Sequence, residues 1–149
     1  MATDDLLTML AGEWRGDEQI ATTPWGAGGP AVGHVVARLD LGGRVLLQDY
    51  REEREGKPSL QAHAVLAAGA ADGEYALYWF DSYGFVPERP APGHRDGDRL
   101  VFLRSSPRGQ TRHTYLLQDA SSYRLTLDCS FDGGVQWERL MSGDYRRVG

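Results

Sequence analysis

The chain has 149 residues, 41% of them hydrophobic and 25% charged, which is enough to bury a core and to form one soluble domain over residues 1–149. Its net charge of −5 argues against a general nucleic-acid binder, which needs a basic stripe, and offers no attraction to an anionic membrane, and no apolar run approaches the ~20 residues of a spanning helix. With the single cysteine Cys129 there is no internal disulfide, and the N-terminus lacks the basic start of a secretory signal, so a reducing cytoplasm is expected.

In chain order, Thr3 or Asp4 can cap a short amphipathic helix that runs to about Ala11 and buries Leu6, Leu7 and Leu10. After it, nearly everything alternates. Strands are predicted over Gly12–Thr22, Ala31–Asp40, Arg44–Arg54 and Ser59–Ala68, separated by the loop Thr23–Pro30 and by turns at Leu41–Gly43 and Arg54–Pro58. The fifth strand lies within Gly73–Gly84 and is the one the chain is organised around. Its segment Tyr75–Phe80 is apolar on both faces, so both should be covered, and Asp81-Ser82-Tyr83-Gly84 makes a polar exit. Phe85–Gly93 is rich in proline and glycine and reads as an irregular edge. Strands follow at Arg99–Ser105, Gln110–Gln118, Ser122–Phe131 and Val135–Arg147, the last two joined by the hairpin signal Asp132-Gly133-Gly134. Nine or ten strands in up-and-down order, with no helix between them, predict an all-β fold, an antiparallel meander barrel of about ten strands.

Several blocks carry a resemblance. Gly12-x-Trp14 resembles the G-x-W signature of calycin barrels, the lipocalins and fatty-acid-binding proteins. Pro24-Trp25-Gly26, Leu41-Gly42-Gly43-Arg44, Tyr78-Trp79-Phe80-Asp81-Ser82, Ser130-Phe131-Asp132-Gly133-Gly134-x-x-Trp137-Glu138 and Gly143-x-Tyr145-Arg146-Arg147 together resemble domain-of-unknown-function family 1579. That resemblance implies a calycin-like barrel and no particular activity. The heme-binding nitrobindins are more distantly similar through Gly12-x-Trp14-x-Gly16, and their arrangement uses an axial histidine late in the chain. This sequence has no histidine after His113, so no heme and no other cofactor is expected.

Charge in the apolar register is the sharpest signal from the residues themselves. Glu18 shares a face with Trp14 and Ile20, and Arg139 shares one with Val135, Trp137 and Met141. First and last strands are neighbours in a closed meander, so Glu18, Trp14 and Arg139 are expected to meet inside. There an arginine on Trp14 closes the barrel base or clamps a ligand carboxylate, and Arg146 or Arg147 could close the base instead. His34, His63 and His113 each lie on strands that line a cavity or pack. His94 falls in a turn, and no histidine or cysteine spacing fits a metal site. Cys129 is in the apolar register and reads as a core thiol. No G-x-S-x-G elbow is present.

These residues describe a container more fully than its contents. The expected function is binding of a small apolar or aromatic molecule in the cavity, with Trp79, Tyr83, Gln48, Tyr50, Trp14, Arg139 and His113 as ligand contacts. Trp79 and Asp81 are expected at the rim, with Tyr83 and Phe85 as a flap hinged at Gly84, and Gln48 and Tyr50 at mid-depth. The alternative is a cofactor-free isomerase, cyclase or lyase, with Asp81, Glu18 and His63 as candidate acids or bases. Heme binding and a scaffold with a filled interior are further readings. A homodimer through the outer face of Ala76, Tyr78 and Phe80 is also expected.

Overall fold

Side chains of a strand alternate between two faces, so the alternation in this sequence gives each strand one face for water and one for a core. Closing the sheet on itself buries the second face and leaves no free edge. The computed structural model, which describes residues 5–84 and 86–148, takes that solution. Its strands are β1 (Gly12–Ile20), β2 (Gly29–Asp40), β3 (Val45–Arg54), β4 (Lys57–Ala68), β5 (Glu74–Asp81), β6 (Ala91–Asp96), β7 (Arg99–Ser106), β8 (Gly109–Asp119), β9 (Ser122–Ser130) and β10 (Glu138–Arg147). All are antiparallel, each pairs with its neighbours in sequence, and β10 closes on β1. The ten-stranded meander and the short N-terminal helix are as the sequence predicts. No helix among the described residues is long and apolar enough to cross a membrane.

The helix α1 (Asp5–Leu10) plugs one end of the barrel with Leu6, Leu7 and Leu10, all fully buried. Its capping residue, predicted at Thr3 or Asp4, lies outside the described residues. A helix this short is held by tertiary contact. Trp14 Nε1 donates to the Leu10 carbonyl at 3.0 Å. The Arg147 guanidinium lies 4.3 Å above the Trp14 ring and donates to the carbonyls of Ala11 (2.7 Å), Met9 (3.3 Å) and Ala120 (3.0 Å). Arg147 therefore closes the base, the role that the sequence left open among Arg139, Arg146 and Arg147.

Two local departures matter. Phe85–Gly93 does not end as an irregular edge: Ala91–Asp96 pairs with β5 on one side and β7 on the other, and Phe102 packs where a Cβ on Gly93 would stand. Glycine is what lets that strand run so close to an aromatic ring. In β10 the register slips between Arg139 and Met141, which pair with Asp128 and Leu127. This bulge reverses which face the earlier residues use. Met141, Gly143 and Tyr145 point inward, whereas Arg139 points outward.

Cover on β5 is also one-sided in the single chain. Tyr75 and Leu77 are buried inside, while Tyr78 and Phe80 remain 39% and 43% exposed on the outside.

Candidate functional site

The end of the barrel opposite α1 is where polar groups reach the interior. β5 brings Trp79 and Asp81 to the inner face of this mouth, as strand parity predicts. Trp79 Nε1 donates to Asp81 Oδ2 at 3.0 Å, and Asp81 Oδ1 accepts from the Tyr83 backbone N–H at 3.0 Å. Asp81 thus makes an Asx turn and fixes the indole at once. The next residues pin this exit to the start of β4: the Gln61 N–H donates to Ser82 Oγ (3.0 Å) and the Tyr83 hydroxyl to the Ser59 carbonyl (3.3 Å). Tyr83 itself is 74% exposed. Gly84, at φ 91°, occupies the left-handed region that suits a hinge. Phe85, assigned to the flap, lies outside the described residues.

Behind Trp79 stand two rings, Tyr50 at 6.1 Å and His113 at 5.9 Å between centroids. Leu77, Trp79, Pro87, Arg89, Arg104 and His113 enclose a small cavity with about 10 Å³ of free volume, room for roughly one water. His113 is 4% exposed. Burial, and then the nearby Arg104 cation, push its pKa down from 6.5 to about 4, so the imidazole is neutral at physiological pH. Burial likewise lowers Arg104, and the Asp81 carboxylate works against that change.

Beside the mouth the interior holds a second polar group. Glu18 is 1% exposed and accepts from the Tyr50 hydroxyl (2.7 and 2.9 Å) and from the Tyr145 hydroxyl. Tyr50 also contacts Glu52 Oε2 at 2.9 Å, and Glu52 Oε1 accepts from Ser59 Oγ at 2.9 Å and Arg54 Nε at 3.3 Å. A continuous hydrogen-bonded chain therefore runs from the rim, at Ser59 and Arg54, to Glu18. Three glycines make room for it: a Cβ at Gly33 would stand 2.5 Å from Glu18 Oε2, and Cβ atoms at Gly16 and Gly143 would collide with the Tyr145 ring. Burial pushes Glu18 up from 4.5 to about 7, partly opposed by the two tyrosine hydrogen bonds and reinforced by the charge of Glu52. Burial and the Glu18 carboxylate hold Tyr50 and Tyr145 above the ordinary tyrosine range, with Glu52 adding to the effect at Tyr50. Tyr50 and Tyr145 have two hydroxyl protons for four oxygen contacts, so a proton on Glu18 can be shared within the cluster.

The predicted site residues divide accordingly. Trp79, Asp81 and His113 meet at the mouth. Glu18 and Tyr50 meet at mid-depth, where Gln48 is also buried, 3.5 Å from the Tyr115 hydroxyl. Trp14 is deeper and stacks edge-on against Tyr123, whose ring lies parallel to that of Tyr145 at 4.9 Å. Two residues are corrected. Arg139 does not join Glu18 and Trp14. The β10 bulge turns it to the outer face, where Arg139 Nε donates to Asp128 Oδ1 at 2.6 Å. His63 is on the outer face as well, 78% exposed, with Nδ1 2.6 Å from Asp49, because its strand turns Ala62 and Ala64 inward. Cys129 is buried as expected, and burial raises its thiol pKa. Sequence reading missed Glu52, Tyr145 and Arg104. Glu52 was detectable, since it continues the Gln48–Tyr50 parity on the same strand.

No group of three or more metal-ligating side chains is present among the described residues. A search of curated protein sequences finds no match. Solved structures do match. One is Rv2717c from M. tuberculosis, with 15% identity and a TM-score of 0.75 over 99% of this chain and 100% of that one. Another is the S-type phycobiliprotein lyase CPES from Guillardia theta, with 8% identity and a TM-score of 0.72 over 100% and 94%. A de novo designed fluorescence-activating β-barrel matches at 14% identity and a TM-score of 0.54 over 98% and 100%. At these identities the likeness is one of fold. The model of the family described as "Protein of unknown function (DUF1579)" matches residues 2–147, and the chain belongs to that family.

Proposed function

We propose that this barrel binds a small aromatic or apolar molecule at its mouth, laid against Trp79, with a carbonyl or acidic group turned toward His113 and Arg104. The observation that carries this is the convergence of a buried, neutral imidazole, an arginine and an indole, His113, Arg104 and Trp79, on the wall of one cavity. The present free volume is too small for such a molecule, so binding requires the segment 86–89 between Gly84 and β6 to move away. Val86 is 70% exposed there. Two of the structures with this fold are, by name, a phycobiliprotein lyase and a fluorescence-activating barrel, which is in keeping with a fold used around small molecules. The test is a screen of small aromatic acids and amides by calorimetry against wild type, Trp79→Ala, Asp81→Asn and His113→Gln. Trp79→Ala and His113→Gln should each weaken binding at least tenfold with the β circular dichroism intact. Full affinity in both variants would remove the mouth as the site.

A second reading, cofactor-free isomerase, cyclase or lyase chemistry, is favoured by one observation. Glu18 titrates near 7, in the range that suits an acid or base, and is wired to the rim through Tyr50, Glu52 and Ser59. Turnover of a bound compound with a pH profile that breaks near 7 in wild type and is lost in Glu18→Gln would support it. Binding without product in both proteins would leave only the first reading.

A further inference from the structure

The outside of the barrel carries a larger concavity than its mouth. A groove of about 730 Å³ crosses the outer face of β6 to β9. A closed sheet is convex on the outside, so a groove there needs a wall, and the chain builds one from residues 131–137. Asp132 Oδ1 accepts from Ser130 Oγ (2.8 Å) and from the N–H groups of Val135 (3.1 Å) and Gln136 (2.9 Å), and Ser130 Oγ accepts from the Gly134 N–H (2.9 Å). This knot folds the connection back over the sheet. Trp137 is then locked by its Nε1 bond to the Gly134 carbonyl (3.1 Å), and the Arg112 guanidinium stacks 4.1 Å from its ring. The Ser130–Glu138 block, which the mouth does not use, thus has a structural product.

Cross-strand register sorts the groove floor into three rows. At one end Asp96, Arg99, Leu116 and Arg124 stand side by side, and at the other Leu103, Arg112, Asp128 and Arg139 do. Between them is a trough of His94, Val101, Thr114 and Thr126. Arg99 and Leu103 are four residues apart on one strand, so the end rows are ~13 Å apart. Asp128, 9% exposed in its side chain, holds Arg139 at 2.6 Å and Arg112 at 3.5 Å, which fixes two cations against one anion. Four arginines line the groove against Asp96 and Asp128, and Arg124 also reaches Asp144 at 3.6 Å, which leaves one cation in excess on a chain whose net charge is −5. The volume lies within the ~300–1,000 Å³ of small-molecule sites. We infer that this outer groove is a binding site, distinct from the mouth, for an elongated, flat, amphipathic dianion. Its apolar body would lie on Val101 and the threonine methyls, and its acid groups would meet the arginines of the two end rows.

The probe is 2,6-naphthalenedicarboxylate, titrated by calorimetry into the full chain beside 2-naphthoate and the neutral 2-naphthylmethanol, with amide NMR to locate each. The dianion should bind at least tenfold more tightly than the alcohol, weaken with added salt, and shift amides of β7, β8 and β9. The double variant Arg99→Gln/Arg124→Gln, at surface positions that leave the core intact, should lower its affinity about tenfold, toward that of 2-naphthoate. Equal affinity for acid and alcohol, no binding of either acid, or shifts confined to the mouth would overturn the inference. So would a dimer by light scattering that Leu103→Glu dissociates, since the occupant would then be a second copy of the chain.

Discussion

Glu18 and His113 lie in the same interior with pKa values displaced in opposite directions, and their effects on stability should oppose one another over one pH window. Glu18 is raised from 4.5 to about 7, so the folded state holds its proton where the unfolded state has lost it. Its contribution is fully present below 4.5 and is lost as pH rises through 7. His113 is lowered from 6.5 to about 4, so the unfolded state takes up a proton that the folded state refuses. Its contribution is fully present above 6.5 and is lost as pH falls through 4. Each gap, at ~1.4 kcal/mol per pH unit, comes to ~3 kcal/mol. Between 4.5 and 6.5 the two nearly cancel, and the wild-type stability profile should be close to flat as far as these groups decide it. Single variants should separate them. Glu18→Gln keeps the shape and an acceptor for a tyrosine hydroxyl but cannot ionise, so its stability should rise with pH by up to ~3 kcal/mol relative to wild type. His113→Gln should fall with pH by a similar amount relative to wild type. Urea unfolding at half-unit steps from pH 4.5 to 8 would show this as midpoint differences of up to ~2 M, at an m of ~1.5 kcal/mol/M. Profiles of both variants parallel to wild type within ~0.5 kcal/mol would refute the reasoning.

The other expectations are simpler. Gly33→Ala places a methyl 2.5 Å from Glu18 Oε2 and 3.0 Å from the Tyr145 hydroxyl, and should destabilise by ~1–3 kcal/mol in thermal melts while also disturbing the Glu18 titration. Arg147→Gln removes the cation above Trp14 and its bonds to three carbonyls. It should lower the melting temperature by several degrees and raise hydrogen exchange in α1 before the rest of the barrel. The exposed Tyr78 and Phe80 on β5 lead us to expect a homodimer, which Phe80→Glu should dissociate. A monomer mass for wild type by light scattering at micromolar concentration would remove it.

Parity made the interior readable where a strand ran without interruption. Trp14 and Glu18 on β1, Gln48 and Tyr50 on β3, and Trp79 and Asp81 on β5 could all be placed because side chains at i and i+2 share a face. The same rule failed at Arg139, where one extra residue in β10 exchanges the faces. A bulge is a property of the pair of strands, and nothing in Val135–Arg147 alone marks it. His63 was ambiguous for a different reason. A histidine suits either face, and only the inward position of Ala62 and Ala64 decides that it pairs with Asp49 in water. Neighbours across strands are set by closure of the sheet, so the meeting of Glu18 with Tyr145, 127 residues away, was beyond reach of the sequence even though both residues stood in singled-out blocks.

Where a ligand can enter follows from what already fills the barrel. Trp14, Tyr115, Tyr123, Tyr145 and Phe102 are all at most 2% exposed and meet near the axis, with Tyr145 laid over the space that Gly16 and Gly143 leave free. A molecule entering below Trp79 would have to displace one of these rings. Removing a buried aromatic from a core costs ~3–5 kcal/mol, more than most contacts of a small ligand return. At the mouth the described residues that have to move are those of the segment 86–89, and the groups behind them, His113 and Arg104, would then face a bound carbonyl or carboxylate. On the proposed reading the aromatic filling of the lower barrel would put a binding surface at the rim, floored by Tyr50, whose ring stands 6.1 Å from Trp79 and whose hydroxyl bonds Glu18.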